Sequence, residues 1–350
     1  MNPIHFTLRL IKSINDISKF INVNSTYHRE AKATIDKLTS SYDLESAEAI
    51  PLNFKLKLQW YMAECLYSCE KLNSLTDQTS NYKQRQSYLL SGALGAICDF
   101  IIDDIEMENE QIKTFKKPET EEKYDNIVDK LYALFYHSFF NSLEESIKAR
   151  AIQYYELLFD VQVRSKQQFN QNITQQEVDE ICKAKCGYSI LFLRSLVNGE
   201  ITEVEKKACY ELGGFIQYCN DAQDLHKDLK KGLRTFASTR PNLETIANDI
   251  DKQKTIAYSL VKETPYQQKK IDDLLFSLHM MGIGIIAKLY RYHEICNNAY
   301  SHENLTMKNK EEIRPQLAIR KLIPYCFPRV IKYNFDTVHK PYNFNLNLKP

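Results

Sequence analysis

Along almost the whole chain, apolar residues return every three or four positions, the period of an amphipathic helix. The pattern predicts helices at about residues 4–21, 27–39, 53–73, 83–107, 121–142, 143–168, 174–197, 201–229, 241–263, 266–302 and 311–323. Strand alternation is nearly absent, and no unit repeats at a fixed period. Two segments break the pattern. One is EMENEQIKTFKKPETEE at 106–122, polar, charged and interrupted by Pro118. The other is the tail beyond 306, where aromatics mix with Pro324, Pro328 and Pro341.

Composition narrows the class. Nine glycines and ten prolines in 350 residues are too few for a turn-rich sandwich or barrel, so the expected fold is all-α. No Gly/Ser linker divides the chain. One helical domain is expected over 1–305, with residues 306–350 forming a helix and an aromatic, basic tail packed on it. The net charge of +1 gives no field that would draw nucleic acid or an acidic membrane. No run of ~20 apolar residues suggests a transmembrane segment. Nine cysteines, an odd number with no secretory signal ahead of them, suggest reduced thiols and a cytoplasmic protein. Cys65/Cys69 and Cys182/Cys186 have no histidine pair beside them to complete a zinc site, so they read as small buried residues.

Two acidic clusters stand out. In ALGAICDFIIDDIE, Asp99 and Asp103 share a helix face, and Asp104 sits one step round. An apolar helix thus delivers carboxylates at its C-terminal end, where the helix dipole and mutual repulsion both oppose them. A divalent cation would offset that cost. In QYCNDAQDLHKDLKKG, at 217–232, Asn220, Asp224 and Asp228 stand at i, i+4 and i+8. Oxygen ligands of this kind suit Mg²⁺, which takes its remaining ligands from water and phosphate. Lys227, Lys230, Lys231 and Arg234 follow, as expected if the ligand brings negative charge. Either cluster alone is also what a solvated helix face looks like. Two such clusters, each ending an apolar helix, favour the metal reading.

These residues resemble the class I isoprenoid synthases, the superfamily of terpene cyclases, polyprenyl diphosphate synthases and squalene/phytoene synthases. GGFIQYCNDAQD, at 213–224, resembles the second polyprenyl synthase motif with Asn220 in the first Asp place, and Asn220-Asp224-Asp228 resembles the second terpene cyclase motif. Asp99, Asp103 and Asp104 resemble the first motif. Lys185 lies upstream of the second motif and Arg291-Tyr292 downstream, in the family's order. The likeness covers about residues 85–295. It implies an all-α barrel or bundle around a central cavity, with three Mg²⁺ ions and an allylic diphosphate substrate. Asp99 with Asp103 or Asp104 would hold two ions, and Asn220, Asp224 and Asp228 the third. Lys185, Lys227, Lys231 and Arg291 would meet the diphosphate, and Tyr292 would hydrogen-bond to it. Phe100, Tyr136, Phe139, Phe140, Tyr154, Phe159, Phe215 and Tyr218 are candidate cavity walls, residues 106–122 a candidate lid, and Gly92 and Gly95 candidates for leaving the cavity deep.

The basic elements that serve isopentenyl diphosphate in chain-elongating relatives have no counterpart here, which favours a terpene synthase, a carbon–oxygen lyase. A prenyltransferase is the alternative, and a non-catalytic helical scaffold the second. The resemblance also suggests a homodimer. A di-iron bundle is disfavoured, because Glu-x-x-His pairs are missing.

Overall fold

The computed structural model describes residues 26–40, 54–103, 109–313, 342 and 344. They are mostly helical, and no strand occurs among them. The fold class is all-α, as the apolar period predicts. Chain contacts separate two compact units.

The described part of the first unit lies between residues 26 and 166 and in Tyr188–Ile201. It contains α1 (26–38), α2 (Phe54–Leu75), α3 (Tyr82–Asp103), α4 (Asn109–Thr114), α5 (Ile127–Ser142), α6 (Glu145–Ser165) and the last part of α7 (Gln175–Leu196). Helix α3 packs against both α2 and α5, and Tyr88, Leu89, Ala93, Ala96 and Ile97 along it are fully buried. Gly92 makes the α2 contact possible: a Cβ there would lie 2.6 Å from Met62 Cα, so the two backbones touch. Gly95 differs, since a Cβ there would meet only the Tyr61 ring edge at 3.9 Å. Gly92 therefore serves helix packing rather than cavity depth. The carbonyls ending α7 are satisfied by Arg150, which donates to Ser195, Val197 and Gly199 at 2.6–2.8 Å.

The second unit holds Gln167–Gly187, residues 202–313, Tyr342 and Phe344. It contains the start of α7, then α8 (Glu203–Lys231), α9 (Leu243–Lys262), α10 (Gln268–Ile295), α11 (His302–Thr306) and α12 (Lys310–Ile313). Helix α8 starts at a capping box of Thr202 and Glu205 and stops at Gly232, whose φ of 66° is left-handed. Gly213 lets α8 lie against α7, because a Cβ there would come within 2.5 Å of Gly187 Cα. α9 and α10 complete the core with Ile246, Ile250, Ala257 and Leu289, all fully buried. α10 has the length and composition of a membrane-crossing helix, with a most apolar window of mean hydropathy 1.3, but 47% of that window is buried. It packs on α8 and α9, as a core helix does.

Most predicted helices are found within a few residues. The predicted helix at 266–302 instead ends at Ile295, because Asn297 and Asn298 take left-handed φ angles of 55° and 61°. The predicted helix at 121–142 begins only at Ile127, capped by the Asn126 side chain. The candidate lid is pinned where it is described. Ile112 and Phe115 are buried, and Lys116 and Lys117 pair with Asp160 and Glu156 of α6 at 2.7 and 2.9 Å. The helix predicted at 4–21 and nearly all the tail beyond 313 lie outside the described residues. Among the described residues the cysteines are free thiols.

Candidate functional site: the carboxylate row of α8

Helix α8 carries a buried row at 4-3-4-3 spacing: Gly214, Tyr218, Asp221, Leu225 and Asp228. The capping box and Gly232 fix where the helix begins and ends, and Tyr218 and Leu225 fix which side faces inward. Two carboxylates are thereby carried into the interior.

Asp221 is 2% exposed. Gln217 Nε2 donates to one of its oxygens at 2.7 Å, and the Phe236 backbone N–H donates to the other at 3.1 Å. Burial pushes its carboxyl up to about 6, while those two donors, the Cys182 thiol and the Lys185 charge pull the other way. Phe236 is held in place by stacking on Tyr218, with ring centroids 3.8 Å apart and planes within 4°. Arg240 then ties the loop after α8 to Asp179 of α7 and Asp249 of α9, with contacts of 2.8–3.0 Å.

Asp228 is pushed up to about 7, first by burial and then by the neighbouring Asp221 and Asp224 charges, against a hydrogen bond from Thr235. Asp224, half-buried, receives Lys227 Nζ at 3.1 Å. α10 supplies the facing groups. Tyr292, 1% exposed, donates its hydroxyl proton to the Gln223 carbonyl at 2.8 Å. The Lys288 ammonium sits 5.7 Å from the Tyr292 ring centroid. Burial lowers the Lys288 pKa, and the charge of Asp224 opposes that shift.

The structure thus gathers Asp224, Asp228, Lys227, Lys185 and Tyr292 of the predicted set around one stretch of α8. It does not bring in three others. Asn220 is exposed, one position off the buried row. Arg291 is turned outward, pairing with Glu294 of its own helix at 3.3 Å. Lys231 is exposed at the end of α8. The competitor Lys183 is taken by Glu211 at 2.6 Å. Sequence reasoning gave no role to Asp221, Gln217 or Lys288. The signal for Asp221 was present, because Tyr218 and Leu225 set the apolar phase and Asp221 falls between them.

The first cluster lies at the end of α3. Asp99 Oδ2 accepts the Tyr61 hydroxyl at 2.9 Å and pairs with Lys57 Nζ at 3.0 Å, both from α2. A cation that offsets the Asp99 charge is therefore supplied by a neighbouring helix. Asp103 closes α3, and Asp104 lies outside the described residues. The candidate cavity aromatics are buried, except the half-buried Tyr136, and packed mostly ring on ring within each unit's own core, as with Tyr136–Phe140 at 4.5 Å and Phe215–Tyr258 at 5.8 Å.

Among the described residues no three His, Cys, Asp or Glu side chains converge on a metal-sized site. Asp224 and Asp228 still form a coupled carboxylate pair. That donor set fits Mg²⁺ in its usual mode, with one or two carboxylates and the remainder from water and phosphate. The chain matches no protein-family model, no curated protein and no solved structure.

Proposed function

We propose that the chain is a class I terpene synthase, a lyase that ionises an allylic prenyl diphosphate with Mg²⁺ and releases diphosphate. One observation supports this most: α8 carries two buried carboxylates, Asp221 and Asp228, beside the half-buried Asp224, and cations from α7 and α10 act on this set. A helix core holds such a set at a cost, which function rationalises.

In this reading Asp224 and Asp228 hold the metal end of the substrate. Asp221, saturated by Gln217 and Phe236, orients the row without touching substrate. Lys288 presents positive charge to the leaving group from α10, with Lys185 as a second source. Bound there, Mg²⁺ supplies Lewis-acid neutralisation of the departing diphosphate. The allylic cation would require an apolar, water-free space beside the row.

The test is incubation of the pure protein with Mg²⁺ and geranyl, farnesyl or geranylgeranyl diphosphate, with extraction of hydrocarbon products and assay of released diphosphate. A parallel sample with isopentenyl diphosphate separates elongation from cyclisation. Release of diphosphate that depends on Mg²⁺ and is lost in Asp224→Ala supports the proposal, and no turnover of any of the three sinks it.

The Lys57–Asp99 pair favours a second reading, a helical scaffold whose acidic clusters are compensated internally. A scaffold gains nothing in melting temperature from Mg²⁺ plus inorganic diphosphate, whereas a binding site gains several degrees by linkage.

A further inference from the structure

The tail carries the triplet Tyr-Asn-Phe twice, at 333–335 and at 342–344. Both aromatic residues of the second copy are seated against α9 and α10. The Tyr342 backbone N–H donates to Asp251 Oδ2 at 2.5 Å. Its ring lies under the Lys254 ammonium, 3.6 Å from Nζ to the centroid, and stacks on His279 at 5.4 Å with planes 13° apart. Lys254 is 1% exposed and pairs with Asp251 at 2.6 Å. Phe344 packs on Tyr290, with centroids 4.4 Å apart.

Gly282 explains the depth of the seat. Glycine inside a helix is destabilising, and nothing in α10 itself calls for one there. A Cβ at 282 would collide with the Tyr342 hydroxyl. The helix thus gives up a side chain where the tyrosine enters. A buried ammonium needs a carboxylate and a polarisable face around it. Asp251 supplies the first and the ring of Tyr342 the second. Backbone, ring and glycine each meet their own partner, so the seat selects a segment and not merely an apolar side chain.

We propose that α9 and α10 carry a recognition slot for a Tyr-x-Phe peptide segment, built from Asp251, Lys254, His279, Gly282 and Tyr290, and that residues 342 and 344 of this chain fill it in cis. The slot reads a backbone N–H through Asp251, an aromatic ring through Lys254 and His279, and a second ring two residues on through Tyr290. It is independent of the terpene synthase reading.

The test uses the full-length chain. In Tyr342→Ala/Phe344→Ala the slot is empty, and fluorescein-labelled heptapeptides of residues 340–346 (KPYNFNL) and 331–337 (IKYNFDT) bind it saturably. Wild type binds both at least about tenfold more weakly, a difference of about 1.4 kcal/mol, because its slot is filled. Adding Lys254→Met to the emptied chain abolishes binding. A second measurement needs no emptied chain. Chymotrypsin cleaves after Tyr342 and Phe344 at least about tenfold faster in Gly282→Leu than in wild type, with circular dichroism unchanged. Equal cleavage in the two proteins overturns the proposal. So does failure of both peptides to bind the folded emptied chain, equal binding by wild type, or equal binding of a scrambled peptide.

Discussion

Lys57 Nζ of α2 lies 3.0 Å from Asp99 Oδ2 at the end of α3. Tyr61, one turn further along α2, donates its hydroxyl to the same oxygen at 2.9 Å. The carboxylate that ends an apolar helix is thus held by two groups that come from elsewhere in the chain.

Replacing that cation separates a structural from a metal-binding Asp99. Lys57→Met lowers stability by about 1 kcal/mol, the scale of a partly exposed pair, read as a shift of the urea midpoint. If Asp99 takes Mg²⁺, adding the ion recovers part of that loss in the variant and does little for wild type. No recovery assigns Asp99 to packing alone.

Asp221 predicts a pH dependence of stability. Its folded pKa of about 6 stands above the ordinary unfolded value of about 3.9. Its contribution is therefore intact below about pH 3.9 and is lost as pH rises through 6. Asn at this position can accept from the Phe236 N–H while Gln217 turns its amide over. Asp221→Asn should raise stability at pH 7.5 by up to about 3 kcal/mol and leave it unchanged near pH 3.5. Thermal melts at the two pH values measure it, and an equal effect at both contradicts the buried-acid account.

Two glycines three residues apart on α3 should respond in opposite ways. Gly92→Ala forces a methyl into the α2 backbone and costs about 1–3 kcal/mol. Gly95→Ala meets only a ring edge at 3.9 Å and gains up to about 1 kcal/mol of helix propensity. Denaturant midpoints decide, and a tolerated Gly92→Ala would mean that the helices part more easily than their contact suggests.

On α10, the proposed activity should depend on Lys288 more than on Arg291. Arg291 faces Glu294 at the surface, whereas Lys288 is coupled to Asp224. Lys288→Met is expected to lower kcat/KM for the prenyl diphosphate by about a hundredfold, and Arg291→Ala by less than about threefold. The reverse order would return the anion-binding role to Arg291.

The helices were legible in the sequence because each is specified within a few turns of chain. Apolar period located α7, α8 and α9 to within two residues, and the Thr202 and Asn242 caps and the Gly232 stop seen in the structure are equally local. The errors were local as well: Asn297 and Asn298 end α10 early because asparagine tolerates the left-handed region, a signal that was read past. What the sequence determined by itself is an all-α chain with carboxylates on two of its helices. Tertiary structure decided what those carboxylates meet. Asn220 and Asp221 are neighbours of similar chemistry, yet one is exposed and the other buried, because only packing against α7 and the Phe236 loop selects the side of α8 that closes. Lys57 and Lys288 were two lysines among many in the sequence. They matter because helix packing sets one beside Asp99 and couples the other to Asp224, and electrostatic partnership depends on distance in space, which helical period along the chain does not encode.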